Sequence, residues 1–259
     1  MTLEEAKNLA MQGNLDAIMA LGGYYFGQNS AKENEDIDEA IKWYEKGAEF
    51  GYSNCMILAS ILYNINGHVI RKITGGNPGI LHSIESLQKG LYWANKAKSA
   101  GEKDADGQLV SLKGELGISY YYYALGGDFS GNTENDKVNR FSESIKLLKS
   151  VYRFTQDPEV YIILALCLNG YGELKGYSEE NNRLEYSLYH KCADEYFGQV
   201  IHSDIAAAYL GIMYIEGRGC SIDYNQAYFY LTKAHNAGFD CSELLSRFKK
   251  KTFGGYVFK

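Results

Sequence analysis

Residues Leu210 to Gly238 read LGIMYIEGRGCSIDYNQAYFYLTKAHNAG. The stretch divides into LGIMYIEG, a short glycine-containing turn, and DYNQAYFYLTKAHNAG. Leu210 and Tyr214 stand four residues apart, which keeps them on one face of a helix. In the second part Ala227, Tyr230 and Ala234 set a small residue, an aromatic and a small residue again along one helix. Gly238 ends it, since glycine takes a positive φ without a Cβ clash. The unit is therefore a helical hairpin, and it recurs. LGGYYFG (Leu21 to Gly27) precedes DIDEAIKWYEKGAEFG (Asp36 to Gly51), and SLQKGLYWANKAKSAG (Ser86 to Gly101) is a further second-helix copy.

Working outward, first helices anchor on Leu21-Gly22, Ala59-Ser60, Leu116-Gly117, Leu164-Ala165 and Leu210-Gly211, at steps of 38, 57, 48 and 46 residues. Four residues beyond each anchor stand Tyr25, Tyr63, Tyr120, Leu168 and Tyr214. The second-helix signature runs Ala40, Trp43, Gly47, Ala48, then Gly90, Trp93, Ala97, and Ala227, Tyr230, Ala234. Ser144, Leu147 and Val151 form an eroded third copy, and Glu185, Leu188, Cys192 and Ala193 a fourth. Gly51, Gly101, Gly198 and Gly238 are read as stops. A fixed hairpin repeated at such steps predicts a solenoid, each unit burying its apolar face against its neighbours.

The pattern resembles the Sel1-like repeat, a relative of the tetratricopeptide repeat, over roughly residues 3 to 240. The resemblance implies an all-α, right-handed α/α superhelix with first helices on a concave face, and an adaptor role in protein assemblies. The expected layout is a single domain over 1–259. It has a capping helix at 3–13 and repeats at 15–51, 52–101 (with an inserted loop at 67–80), 111–154, 157–198 and 203–238. A C-terminal cap and tail fill 239–259, with Arg247, Lys249, Lys250 and Lys251 at a solvated helix end. Further insertions are read at 126–135 and 171–182.

Composition narrows the function. Only two prolines occur in 259 residues, as long helices require, because an interior proline costs about 3 kcal/mol. The net charge of −6 disfavours nucleic acid and favours a basic protein partner. No run approaches the ~18 apolar residues of a membrane span. The acidic N-terminus has no signal-peptide character, although a leader removed earlier would leave no trace. Five irregularly spaced cysteines point to reduced thiols and a cytoplasmic location.

No HExxH or paired CxxC occurs, and Gly75 to Gly79 lacks the ending of a phosphate-binding loop. His202, Ser203 and Asp204 are adjacent, a poor geometry for a catalytic triad, and Ser203 or Asp204 reads as a helix N-cap. The expectation is no enzyme, no cofactor and no metal. Glu33, Glu35, Asp36, Asp38 and Glu39 cluster around a helix start, where the macrodipole favours acids.

The run Tyr120 to Tyr123 advances by about 300° on a helix, so its members cannot all face the core. Tyr120 matches the buried aromatic, leaving Tyr121, Tyr122 and Tyr123 for a groove. Tyr24 and Tyr25, Tyr161 and Tyr209 extend the row, and Asn77 marks the inserted loop. Trp43 and Trp93 are read as core. The predicted function is a monomeric adaptor holding a protein on its concave face. The alternative is a bacterial immunity protein that neutralises a secreted toxin.

Overall fold

The computed structural model describes residues 1–27, 36–74, 76–126, 133–252 and 254–259. Glu33 and Glu35 lie outside the described residues, as do residues 127–132 of the third-repeat insertion. Among the described residues the chain forms twelve helices and one two-stranded sheet. It divides into two compact units, Met1–Gly126 and Gly127–Lys259. The fold class is an all-α repeat solenoid, as the sequence predicts.

Unit 1 holds α1 (Leu3–Met11), α2 (Leu15–Tyr25), α3 (Ile37–Glu49), α4 (Ser53–Thr74), α5 (Gly76–Ser99) and α6 (Ala105–Leu125). Each helix packs on its chain neighbour. Local chemistry sets the starts. Thr2 and Glu5 form a reciprocal capping box, and Asn14 and Asp36 accept from Ala17 N and Glu39 N. Such caps contribute about 1 kcal/mol each. The small residues in the signature allow close approach. A Cβ on Gly22 would overlap the Tyr44 ring, and one on Gly90 would meet Leu112 at 2.8 Å.

Unit 2 holds α7 (Glu134–Val151), α8 (Pro158–Lys175), α9 (Glu179–Asp194), α10 (Ser203–Glu216), α11 (Tyr224–Asn236) and α12 (Ser242–Ser246), then β1 (Phe248–Lys250) and β2 (Tyr256–Phe258). Here too consecutive helices pair from α7 to α11. Ile162, Ile163, Leu164 and Leu168 of α8 are fully buried, which explains the nearly continuous apolar run of that helix.

Three expectations are corrected. The inserted loop at 67–80 is helix: α4 runs to Thr74 and α5 starts at Gly76. Half-buried Val69 and Ile70 carry the apolar spacing onward, and Pro78 falls in the first turn, where its missing N–H breaks no helical bond. The long step between anchors is thus a lengthened hairpin. The interruption at 171–182 shrinks to Gly176–Ser178, between α8 and α9. The C-terminal cap is only partly helical, for Lys249 and Lys250 lie on a strand paired Phe248 to Phe258 and Lys250 to Tyr256. Aromatic contacts favour the hairpin over a longer helix. Tyr256 stacks on Tyr228 of α11 at 3.8 Å, and Phe248 meets Phe258 at 4.9 Å.

Candidate partner-binding surfaces

The expected tyrosine row does not form one exposed surface. Tyr121 is buried at 8% exposure and Tyr161 at 5%, which removes both from a partner-facing role. The buried member of the run is Tyr121 rather than Tyr120, which is half-buried and whose hydroxyl accepts from Gln88 Nε2 at 3.2 Å. Tyr161 spends its hydroxyl on the Thr155 carbonyl at 2.6 Å, with the Lys191 ammonium 4.2 Å from its ring. Tyr209 is half-buried and stacks on Tyr189 at 5.5 Å. Asn77 is a buried helical residue whose Nδ2 donates to the Gly126 carbonyl at 3.4 Å. Tyr24, Tyr25, Tyr122 and Tyr123 are half-buried. Tyr24 meets Tyr25 edge-on at 5.2 Å, and the Arg71 guanidinium lies 5.6 Å from the Tyr122 ring.

A better-formed surface lies where α3, α4 and α5 meet. Glu45 of α3 is its centre: Oε1 accepts from Tyr63 Oη of α4 and from Trp93 Nε1 of α5, both at 2.8 Å. Tyr63 and Trp93 are buried, so two fixed donors hold the carboxylate in place. Burial, and then the bond to Glu45, push the Tyr63 pKa upward. Glu45 lines a cavity of about 210 Å³ together with Asp38, His82 and Glu85. It also lines an adjoining open groove of about 500 Å³ with Glu85, Tyr92 and Trp93. Tyr92 is 52% exposed and packs edge-on against Trp93 at 4.9 Å. The Lys96 ammonium lies 4.9 Å from the Tyr92 ring. Carboxylates beside an aromatic face suit a cationic side chain.

The same register in unit 2 is occupied differently. Position for position, Glu45, Tyr63 and Trp93 correspond to His190, Tyr214 and Tyr230. Tyr214 stacks on Tyr230 at 5.9 Å, and Tyr214 Oη pairs with Tyr186 Oη at 2.8 Å. Asp194 accepts from Tyr230 Oη at 3.1 Å and pairs with His190 Nδ1 at 3.1 Å. The carboxylate of this junction is therefore Asp194, four residues beyond the Glu45 position, and it sits beside an aromatic cluster.

Deeper in unit 2 lies an ion pair. Glu185 stands where α3 and α5 carry Ala40 and Gly90, with its side chain 1% exposed. Arg218, 8% exposed in the α10–α11 turn, donates from Nη1 to both Glu185 oxygens at 2.6 and 2.7 Å. Nη2 reaches Asn169 Oδ1 at 3.2 Å, Nε reaches Glu216 at 3.1 Å, and the guanidinium covers the Tyr177 ring at 4.4 Å. Burial lifts the Glu185 pKa to about 7, against the lowering effect of Arg218. Neither this network nor Glu45 was singled out in the sequence reading. The signal existed, in a charged residue at a small-residue position.

Three buried cysteines and Ser203 are engaged in the packing of the helices. Burial raises the thiol of Cys55 to about 11 and those of Cys167 and Cys192 to about 12, so they stay protonated at neutral pH. Ser203 Oγ accepts from Gly198 N at 3.0 Å, and the cap position of α10 is His202, in the left-handed region at φ 71°. Neither Ser203 nor Asp204 is that cap. Among the described residues no group of three or more His, Cys, Asp or Glu could hold a metal ion. Among the same residues no helix is long and apolar enough to cross a membrane.

The Sel1 repeat family model matches residues 15–52, 79–102 and 204–239. No curated protein matches the chain. Among solved structures, the chain is similar to a protective antigen of uropathogenic Escherichia coli displaying an SLR fold, with 17% identity and a TM-score of 0.31. That alignment covers 92% of this chain and 57% of the antigen, so the chain spans little more than half of its length. A Sel1 repeat protein from Oxalobacter formigenes is similar at 20% identity and a TM-score of 0.34, over 92% of this chain and 85% of that one.

Proposed function

We propose that this chain, a Sel1-like repeat protein, is a non-catalytic adaptor that holds a partner protein on unit 1, at the groove of α3, α4 and α5. Sel1 repeats are in general protein-interaction modules without catalytic activity of their own. The observation that carries the reading is the pairing of the anchored Glu45 carboxylate with exposed Tyr92 and Glu85 along one groove. A partner's arginine or lysine would stack on Tyr92, displacing Lys96, and meet the two carboxylates. Because tyrosine has few rotamers to lose, that contact costs little ordering entropy. The net charge of −6 favours encounter with such a partner.

The test is selection from a random peptide display library on the whole protein, repeated on Tyr92→Ala and Glu85→Lys. Tyr92 and Glu85 are exposed, so both variants should keep the wild-type circular dichroism spectrum and melting temperature. Enrichment of basic peptides that vanishes in both variants is the expected result. Peptides without basic enrichment, or retained by both variants, would sink the proposal. Where the natural partner proves to be a secreted toxin whose activity falls on binding, the adaptor is an immunity protein.

A further inference from the structure

The first two inter-repeat junctions of unit 1 are built to the same plan, but one lacks its acceptor. At the second junction α3 supplies Glu45, and Tyr63 and Trp93 donate to it. The signatures of α3 and α5 align Trp43 with Trp93, and those of α2 and α4 align Tyr25 with Tyr63. Aligning α1 with α3 on Ala10 and Ala48 puts Lys7 where Glu45 stands. The structure supports this alignment independently. Tyr25 is the first cause of the raised Lys7 pKa, which puts the Lys7 ammonium in the electrostatic neighbourhood of the Tyr25 hydroxyl. Trp43 is 6% exposed, and its indole Nε1 has no hydrogen-bond partner among the described residues. Leaving a buried donor unmet is destabilising. Lys7 cannot meet it, because an ammonium has only donors.

We propose that this first junction is a socket for a glutamate side chain of the partner protein, held by Trp43 Nε1, Tyr25 Oη and the Lys7 ammonium. Glu45 is the internal precedent for the occupant: the same two donor types, one repeat along, already grip a glutamate. In place of that glutamate the chain supplies a lysine, so the aligned positions offer a buried indole donor, a tyrosine hydroxyl and an ammonium but no carboxylate. The Lys7 side chain is 34% exposed and its present partner is Glu4, itself 79% exposed, at 3.4 Å. A surface pair of that kind holds weakly, so Lys7 can swing aside and pair with an incoming carboxylate. The socket rests on the reading of unit 1 as the partner-binding surface, but it depends on different residues from the Tyr92 groove.

The chain has only two tryptophans, so an ¹⁵N-labelled sample of the whole protein gives two indole N–H signals, assigned with Trp43→Phe and Trp93→Phe. The probe is N-acetyl-glutamate amide at millimolar concentration, with N-acetyl-glutamine amide as control. The expected result is a saturable downfield shift of the Trp43 signal by the glutamate compound alone, with Trp93 unmoved. Lys7→Glu should move the Trp43 signal downfield without probe, raise the melting temperature and abolish the response. A Trp43 signal that ignores the probe, or that moves together with Trp93, would overturn the socket. So would a Lys7→Glu variant that leaves the Trp43 signal in place. Basic-peptide selection on Lys7→Glu separates the two readings, because that variant keeps the α3–α5 groove. Selection retained while the socket fails would discard this inference alone.

Discussion

In α3 and α5 the second-helix signature begins with buried Ala40 and with Gly90, on which Leu112 packs so closely that a Cβ would lie 2.8 Å from it. In α9 the same position is Glu185, which a guanidinium from the α10–α11 turn binds through both carboxylate oxygens. One register therefore tolerates two solutions, apolar closeness or a buried pair. They fail differently. A close contact is lost in proportion to the volume changed. A buried pair that loses one partner leaves an unmet charge behind.

The sharpest way to break the comparison is Arg218→Ala. It should destabilise unit 2 by about 3–5 kcal/mol, read by denaturant unfolding and by amide exchange in α8 to α10. The double change Glu185→Leu with Arg218→Met should recover most of that loss. If the single and double variants are equally unstable, the pair is not the source. Glu45→Ala comes next, because it strands the buried donors of Tyr63 and Trp93 at about 1–3 kcal/mol each. Glu45→Gln keeps an acceptor and should cost less.

The pH profile sharpens the same contrast. Burial raises the Glu185 pKa to about 7 in the folded chain, above its unfolded value. Between the two values the native state holds more protons than the unfolded one, so unit 2 should lose stability as pH rises through that window and level off above about 7. Glu185→Gln should flatten the profile; an unchanged slope would assign it to other groups. The smallest effect is expected from His190→Ala. His190 is 43% exposed and its ion pair is with a partly exposed Asp194, so the change should stay below about 1 kcal/mol.

Much of the fold was legible because its signals are local. Small-aromatic-small spacing, N-cap acids and glycine stops act within one helix, and α2, α3, α10 and α11 start and stop close to where they predict. What escaped depends on contacts between distant residues. Gly-Gly-Asn-Pro-Gly reads as a turn followed by loop, yet the proline sits in the first turn of α5 because Gly67 lets Leu87 pack close and Ser83 Oγ donates to its carbonyl at 2.7 Å. The phase of the tyrosine run was missed because each ring is equally apolar, and only the packing around Tyr121 decides which is buried. Repeat four looked eroded because Glu185 breaks the small-residue pattern, while its partner Arg218 stands 33 positions away.

The α4–α5 hairpin carries a consequence for the order of events in folding. α4 ends at Thr74 and α5 begins at Gly76, so two helices of 22 and 24 residues join with almost no chain between them. Closing them costs little loop entropy, and their contacts, such as Ser86 Oγ to the Tyr63 carbonyl at 3.0 Å, link residues near in sequence. On these grounds the hairpin is expected to form first in unit 1, with α3 and α6 adding to it. Weakening its seam should therefore slow refolding, whereas changes in α1 should show in the unfolding rate alone.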